Sequence, residues 1–206
     1  MLKELFISLL SRYTDDVVLA ESLWKDLQKK YSARNRHYHN LSHLDHIHQD
    51  LVSIKDRIMD WDMLLFAIFY HDYKYNILKQ NNEELSAKKA VIVLNTLGID
   101  QDRINLCEEH ILATKGHSIS ENQDVNYFTD ADLAILGSEW NAYKTYFTKV
   151  RKEYNYYPGL IYNRGRIKVL KQFLDMPRIF KTDHFFIDLE GRAKINIERE
   201  IELLSR

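Results

Sequence analysis

Turn-forming residues are scarce: the 206-residue chain holds two prolines and six glycines. The many short connections of a sheet protein are therefore disfavoured, and long helices are expected. A single cysteine, Cys107, excludes an internal disulfide and fits a reducing compartment. No run approaches the roughly 18 apolar residues that a membrane span needs. The opening Met1-Leu2-Lys3-Glu4-Leu5-Phe6 carries an acid in its apolar stretch and lacks the features of a signal peptide. An excess of one charge is missing too, since 29 Lys and Arg face 30 Asp and Glu. No sequence-wide field then draws the chain to nucleic acid or anionic lipid. The expectation is a cytoplasmic protein with neither a nucleic-acid nor a membrane partner. The length suits one domain over 1–206, and no repeat or composition shift places a linker.

What is present is helical periodicity with caps. Thr14 can cap a helix through about Tyr31, with Val17, Val18, Leu23, Trp24 and Leu27 on its apolar positions. Asn40 or Ser42 can open a second, carrying Leu44, Ile47, Leu51 and Ile54. Asp60 can open a third, running from Trp61 to Tyr70 and His71; it is apolar nearly all round and hence central. Asn82, followed by Glu83 and Glu84, starts a helix that Gly98 stops, and Asp100 starts one that Gly116 stops. A helix that contains 130–136 should end at Gly137, with Ser138 capping a Tyr- and Lys-rich segment to about Tyr156. Residues 186–204 form a last amphipathic helix, with Leu189, Ala193, Ile197 and Ile201 on one face and Glu and Arg on the other. The aromatic residues between Tyr143 and Tyr157 are read as core or interface packing.

Five of the nine histidines fall between His37 and His48, a density that calls for imidazole chemistry. On a helix His39 and His43 share a face, whereas His46 and His48 are rotated away and read as a solvated surface. His71-Asp72 follows the run Met63-Leu64-Leu65-Phe66-Ala67-Ile68-Phe69-Tyr70, which delivers an imidazole and a carboxylate to the end of a buried helix. A lone buried carboxylate costs several kcal/mol unless it is paired or bound to a metal. Asp72 could equally pair with Lys74 or cap the next turn. In Asp130-Ala131-Asp132 the two acids would point about 200° apart on a helix, so one of them can face a site while Thr129 and Asp130 could serve as N-caps. His43, His71, Asp72 and one of these acids make a mixed nitrogen and oxygen set that Mn, Mg, Fe, Ni, Co or Zn accepts. Such a site leaves room for a water able to attack phosphorus.

The order of these residues resembles the HD superfamily of metal-dependent phosphohydrolases: a His, a His-Asp doublet, then a distant Asp. Tyr38-His39-Asn40-Leu41-Ser42-His43 is similar to the YHNxxH segment of cyclic-nucleotide phosphodiesterases, in which the first His donates a proton and the second binds metal. Over about 34–200 the chain looks like a bacterial group of predicted HD phosphohydrolases, sharing 36–43, Tyr70-His71-Asp72, Asn82-Glu83-Glu84-Leu85-Ser86-Ala87, Ala113-Thr114 to His117, 130–137 and Gly191-Arg192-Ala193. The resemblance implies an all-α, single-domain HD-type helical bundle, its motif-bearing core at about 34–140 and its C-terminal helices packed on that core. It implies His43, His71, Asp72 and Asp132 as ligands, Asp132 by its Ala-Asp-Leu setting, with Asp130 in support. It also implies His39 as general acid and Asp72 as part of the catalytic machinery. The further metal- and purine-binding residues of the phosphodiesterases find no counterpart here, so their substrate does not carry over.

The expected activity is cleavage of a phosphate ester or anhydride of a nucleotide or similar small molecule. Arg36, Lys74 and Lys115 could hold phosphate oxygens, although each lysine could simply face solvent. His110 and His117 could serve a second metal or a phosphate; otherwise they are a helix-surface and a loop histidine. Glu83 and Glu84 could orient water or a ligating His, or merely favour a helix N-terminus. The alternatives are a dinuclear iron HD-type oxygenase using His110 and His117, or a non-catalytic, metal-stabilised nucleotide- or protein-binding module. A homo-oligomer is compatible with the sequence.

Overall fold

Short polar side chains cap the starts of four helices, and a computed structural model describing all 206 residues is all-α, without strands. In order these are α1 (Leu2–Leu10), α2 (Val17–Tyr31), α3 (Leu41–Val52), α4 (Trp61–Tyr70), α5 (Asn82–Thr96), α6 (Gln101–Ala113), α7 (Gln123–Leu133), α8 (Trp140–Glu153), α9 (Gly159–Asp175) and α10 (Asp183–Leu204). Short 3₁₀ turns lie at Lys55–Arg57 and Ala134–Gly137. The chain clusters into two compact units, Met1–Thr129 and Asp130–Arg206, and the division falls inside the continuous helix α7. No helix is long and apolar enough to cross a membrane.

In the first unit α4 is central: all eight residues from Met63 to Tyr70 are buried, and α3, α5 and α6 pack on it. Phe6 of α1 meets Phe69 edge-on at 4.8 Å, and the Tyr31 hydroxyl of α2 donates to the Phe69 carbonyl at 3.0 Å. Asn40, Asp60 and Asp100 cap α3, α4 and α6 through the expected side-chain bonds. Gly98, with φ of +70°, takes the left-handed conformation that ends α5. Two expectations are corrected and one helix is added. Asp16, not Thr14, caps α2, and Thr14 Oγ1 instead accepts the Asp16 N–H; Val17 and Val18, expected on the apolar face, are 71% and 80% exposed. The first residues form a helix of their own, α1. After α6 the left-handed residue is His117, with φ of +49°, rather than Gly116.

The other corrections concern 130–206. Helix α7 starts at Gln123, so Thr129 and Asp130 lie inside it and cap nothing. It gives way at Ala134 to the 3₁₀ turn, where a Cβ at Gly137 would stand 2.5 Å from Leu189 Cβ; glycine is what lets that turn seat against α10. Asn196 secures the seat by donating to the Leu136 and Ser138 carbonyls at 2.9 and 2.8 Å. Glu139, not Ser138, precedes α8. Helix α10 begins at Asp183, and its polar residues do not all face solvent: Glu190, Asn196 and Glu200 are buried. Glu190 accepts the N–H groups of Ile179 and Phe180, while Glu200 accepts from Arg166 at 2.8 and 3.1 Å and from the Tyr143 hydroxyl at 2.6 Å.

Candidate metal centre

The cap by Asn40 fixes where α3 begins and so places His43 in its first turn, 3% exposed. His71 is the C-cap residue of α4, carried to the end of that buried helix, and is likewise 3% exposed. Asp132 stands in the last turn of α7. One ligand atom from each of these three residues lies within 4.8 Å of the others. His71 Nδ1 donates to the Ile68 carbonyl at 3.0 Å, which leaves the lone pair on Nε2. Phe128 of α7 meets the same ring edge-on at 5.6 Å and gives it an apolar wall.

Asp72 stands outside this trio but close to it, its Oδ2 3.5 Å from His71 Nε2. His39 is not on a helix. It lies in the irregular lead-in before Asn40, yet its ring is 5.6 Å from that of His43 and 4.6 Å from that of Tyr75. Helical spacing therefore misnames the cause of their proximity. Arg36 supplies it: Nη1 donates to the His39 carbonyl at 3.1 Å, and Nη2 to the Asp72 and Tyr73 carbonyls at 2.7 and 3.2 Å. The guanidinium, over the rings of Tyr31 and Tyr75, clamps the His39 segment to the His71-Asp72 turn. Donors expected to hold phosphate are spent on backbone carbonyls.

Asp130 is fully buried and accepts from Lys181 N–H, Thr182 N–H and Thr182 Oγ1 at 2.7 to 2.8 Å, anchoring the approach to α10. Of the two neighbouring acids, Asp132 alone joins the histidines, as opposite faces of a helix require. Lys181 went unnoticed in the sequence, where nothing distinguishes it. Its Nζ lies 3.5 Å from Asp130 Oδ1, and burial pushes its pKa down against the pull of Asp130, Asp132 and Glu190.

The remaining candidates lie outside the trio. His110 is fully buried rather than on the helix surface: Nδ1 donates to the Leu106 carbonyl at 2.6 Å, Phe128 is 5.9 Å away, and burial lowers the ring's pKa. His117 sits in the loop after α6. Lys115 pairs with Glu84, which holds the Glu84 carboxyl below its usual range. Glu83 occupies the first turn of α5, where the helix dipole favours an acid. Lys74 is exposed, its Nζ 5.5 Å over the Tyr73 ring. His46 is exposed and His48 half-buried beside Trp61, in keeping with a solvated face.

The donor set fits a divalent cation: two imidazoles, one of them with its tautomer fixed by a carbonyl, and a carboxylate, with a second carboxylate alongside. No protein-family model, curated protein or solved structure matches this chain.

Proposed function

We propose that this chain is an HD-type hydrolase that cleaves a phosphate ester or anhydride of a small molecule, such as a nucleotide, with a divalent metal. The observation that carries this reading is the convergence of His43, His71 and Asp132 from three separate helices. His43, His71 and Asp132 would hold the ion, and Asp72 is near enough to His71 to complete the set. When bound, a divalent cation in such a set acidifies water for attack on phosphorus at neutral pH. His39 is partly exposed and its backbone is held by Arg36 beside His43, so it can deliver a proton to the departing oxygen. General acid help of this kind contributes about 10² to 10⁴ in rate. A dinuclear iron oxygenase would call on His110 and His117; His110, sealed against Phe128 and bonded to Leu106, favours the hydrolytic reading.

The test combines metal analysis with turnover. After reconstitution with Mn or Ni, His71→Ala and Asp132→Ala should lose the metal. His39→Ala should keep it while turnover of a chromogenic phosphodiester or a nucleotide falls by about 10² to 10⁴. Metal retained in both ligand variants would overturn the centre, and full activity in His39→Ala would overturn the proton donor. A metal-loaded protein silent on every nucleotide would support a binding module instead.

A further inference from the structure

A groove of about 420 Å³ in the first unit is lined by Lys29, Lys30, Arg36, Lys74, Tyr75 and Lys79, among other residues, and by no Asp or Glu. Lys29 and Lys30 close α2, where the helix dipole favours cations. Lys74 and Lys79 belong to the loop after His71-Asp72 and have no such reason to be there. None of these four lysines forms an ion pair. The nearby carboxylate, Asp26, is already taken: it accepts from the Tyr73 hydroxyl at 2.8 Å and pairs with Lys89 at 3.0 Å, though it still feels the charge of Lys30. In a chain of net charge −1, cations without ion-pair partners gathered in one groove are a local feature that the overall balance conceals.

The groove adjoins the candidate centre through its own lining. Tyr75 lies 4.6 Å from the His39 ring, and Arg36 donates to the His39 carbonyl. We infer that the groove receives the non-reacting phosphates of an oligophosphate substrate: a nucleoside di- or triphosphate, or an inorganic chain. This deepens, and rests on, the hydrolase reading. A single phosphate at the metal would need no such room. Lysines on two separate segments match a charge spread along a chain, each acting as a point charge on a phosphate oxygen. The Arg36 donors, spent on the backbone, are not needed for this.

Titration calorimetry of the full-length, EDTA-treated protein with inorganic tripolyphosphate tests the groove without metal and without turnover. Tripolyphosphate should bind, orthophosphate should bind far more weakly, and added salt should weaken both. Lys74→Gln/Lys79→Gln and Lys29→Gln/Lys30→Gln should each weaken tripolyphosphate binding by about tenfold, with circular dichroism and metal uptake unchanged. Wild-type affinity in both double variants, or equal affinity for orthophosphate, would overturn the inference. Tripolyphosphate bound in the groove but never hydrolysed by metal-loaded protein would sink the hydrolase reading and leave the groove standing.

Discussion

Arg36 and Asp130 carry charges of the right kind beside the right motifs, yet both serve the backbone, one on three carbonyls and the other on two N–H groups. Such a role is invisible in a sequence, because it depends on which main-chain groups a fold leaves without partners. His110 is a third such residue, and its burial has a consequence for stability. Burial lowers its pKa and outweighs the upward pull of the Leu106 carbonyl and of Asp124, Glu109 and Asp60, so the folded value lies below 6.5. The unfolded chain therefore takes up the proton first. The contribution of a neutral His110 is fully present above pH 6.5 and is lost as pH falls below it. The slope is at most about 1.4 kcal/mol per pH unit. Urea unfolding between about pH 8 and pH 5 should show a steeper acid loss for wild type than for His110→Phe. Identical slopes would dismiss His110 as a source of acid lability.

Helix α4 brings His71 to the centre, and its start depends on one side chain. Asp60 accepts the Met63 N–H and also takes Arg103 of α6 in a two-pronged pair at 2.6 and 2.9 Å. The pair is partly solvated and adds little, so Asp60→Ala should cost about 1 to 2 kcal/mol, mostly the cap. Chemical denaturation measures this, and a loss well under half a kcal/mol would show the cap to be dispensable. Elements of this kind were legible because a cap and its apolar stripe lie within a few residues of each other. Helix α7 was misplaced for a related reason. Asn122, whose Oδ1 accepts the Asp124 N–H, sits ahead of a segment whose buried apolar residues Val125, Phe128 and Ala131 alternate with equally buried polar ones, Asp124, Asn126, Thr129 and Asp130, so no solvated face sets off an apolar stripe.

At the scale of the whole molecule, burial of charge matters most in 130–206. Arg166 and Glu200 have side chains 10% and 1% exposed, and Tyr143 shares the same carboxylate. Removing one partner strands the other in an apolar interior, so Glu200→Ala should destabilise by about 3 to 5 kcal/mol. Replacing both, as Arg166→Met/Glu200→Met, should cost less than the single change. Thermal or urea unfolding compares the two, and a double variant worse than the single would refute the account.

The sequence by itself determined that the chain is helical, where α3, α4, α5 and α6 begin, and that His71-Asp72 ends a buried helix. Caps and a 3.6-residue period act over a single turn, so these features are read locally. Only the tertiary structure decided that Asp132 rather than Asp130 joins His43 and His71, that His39 reaches His43 from a loop, and that four lysines share one groove. Each of these depends on residues far apart in the chain, as when Arg36 reaches the Asp72 carbonyl and holds the His39 segment in place. Their meeting is set by how helices pack, which no local pattern of residues encodes.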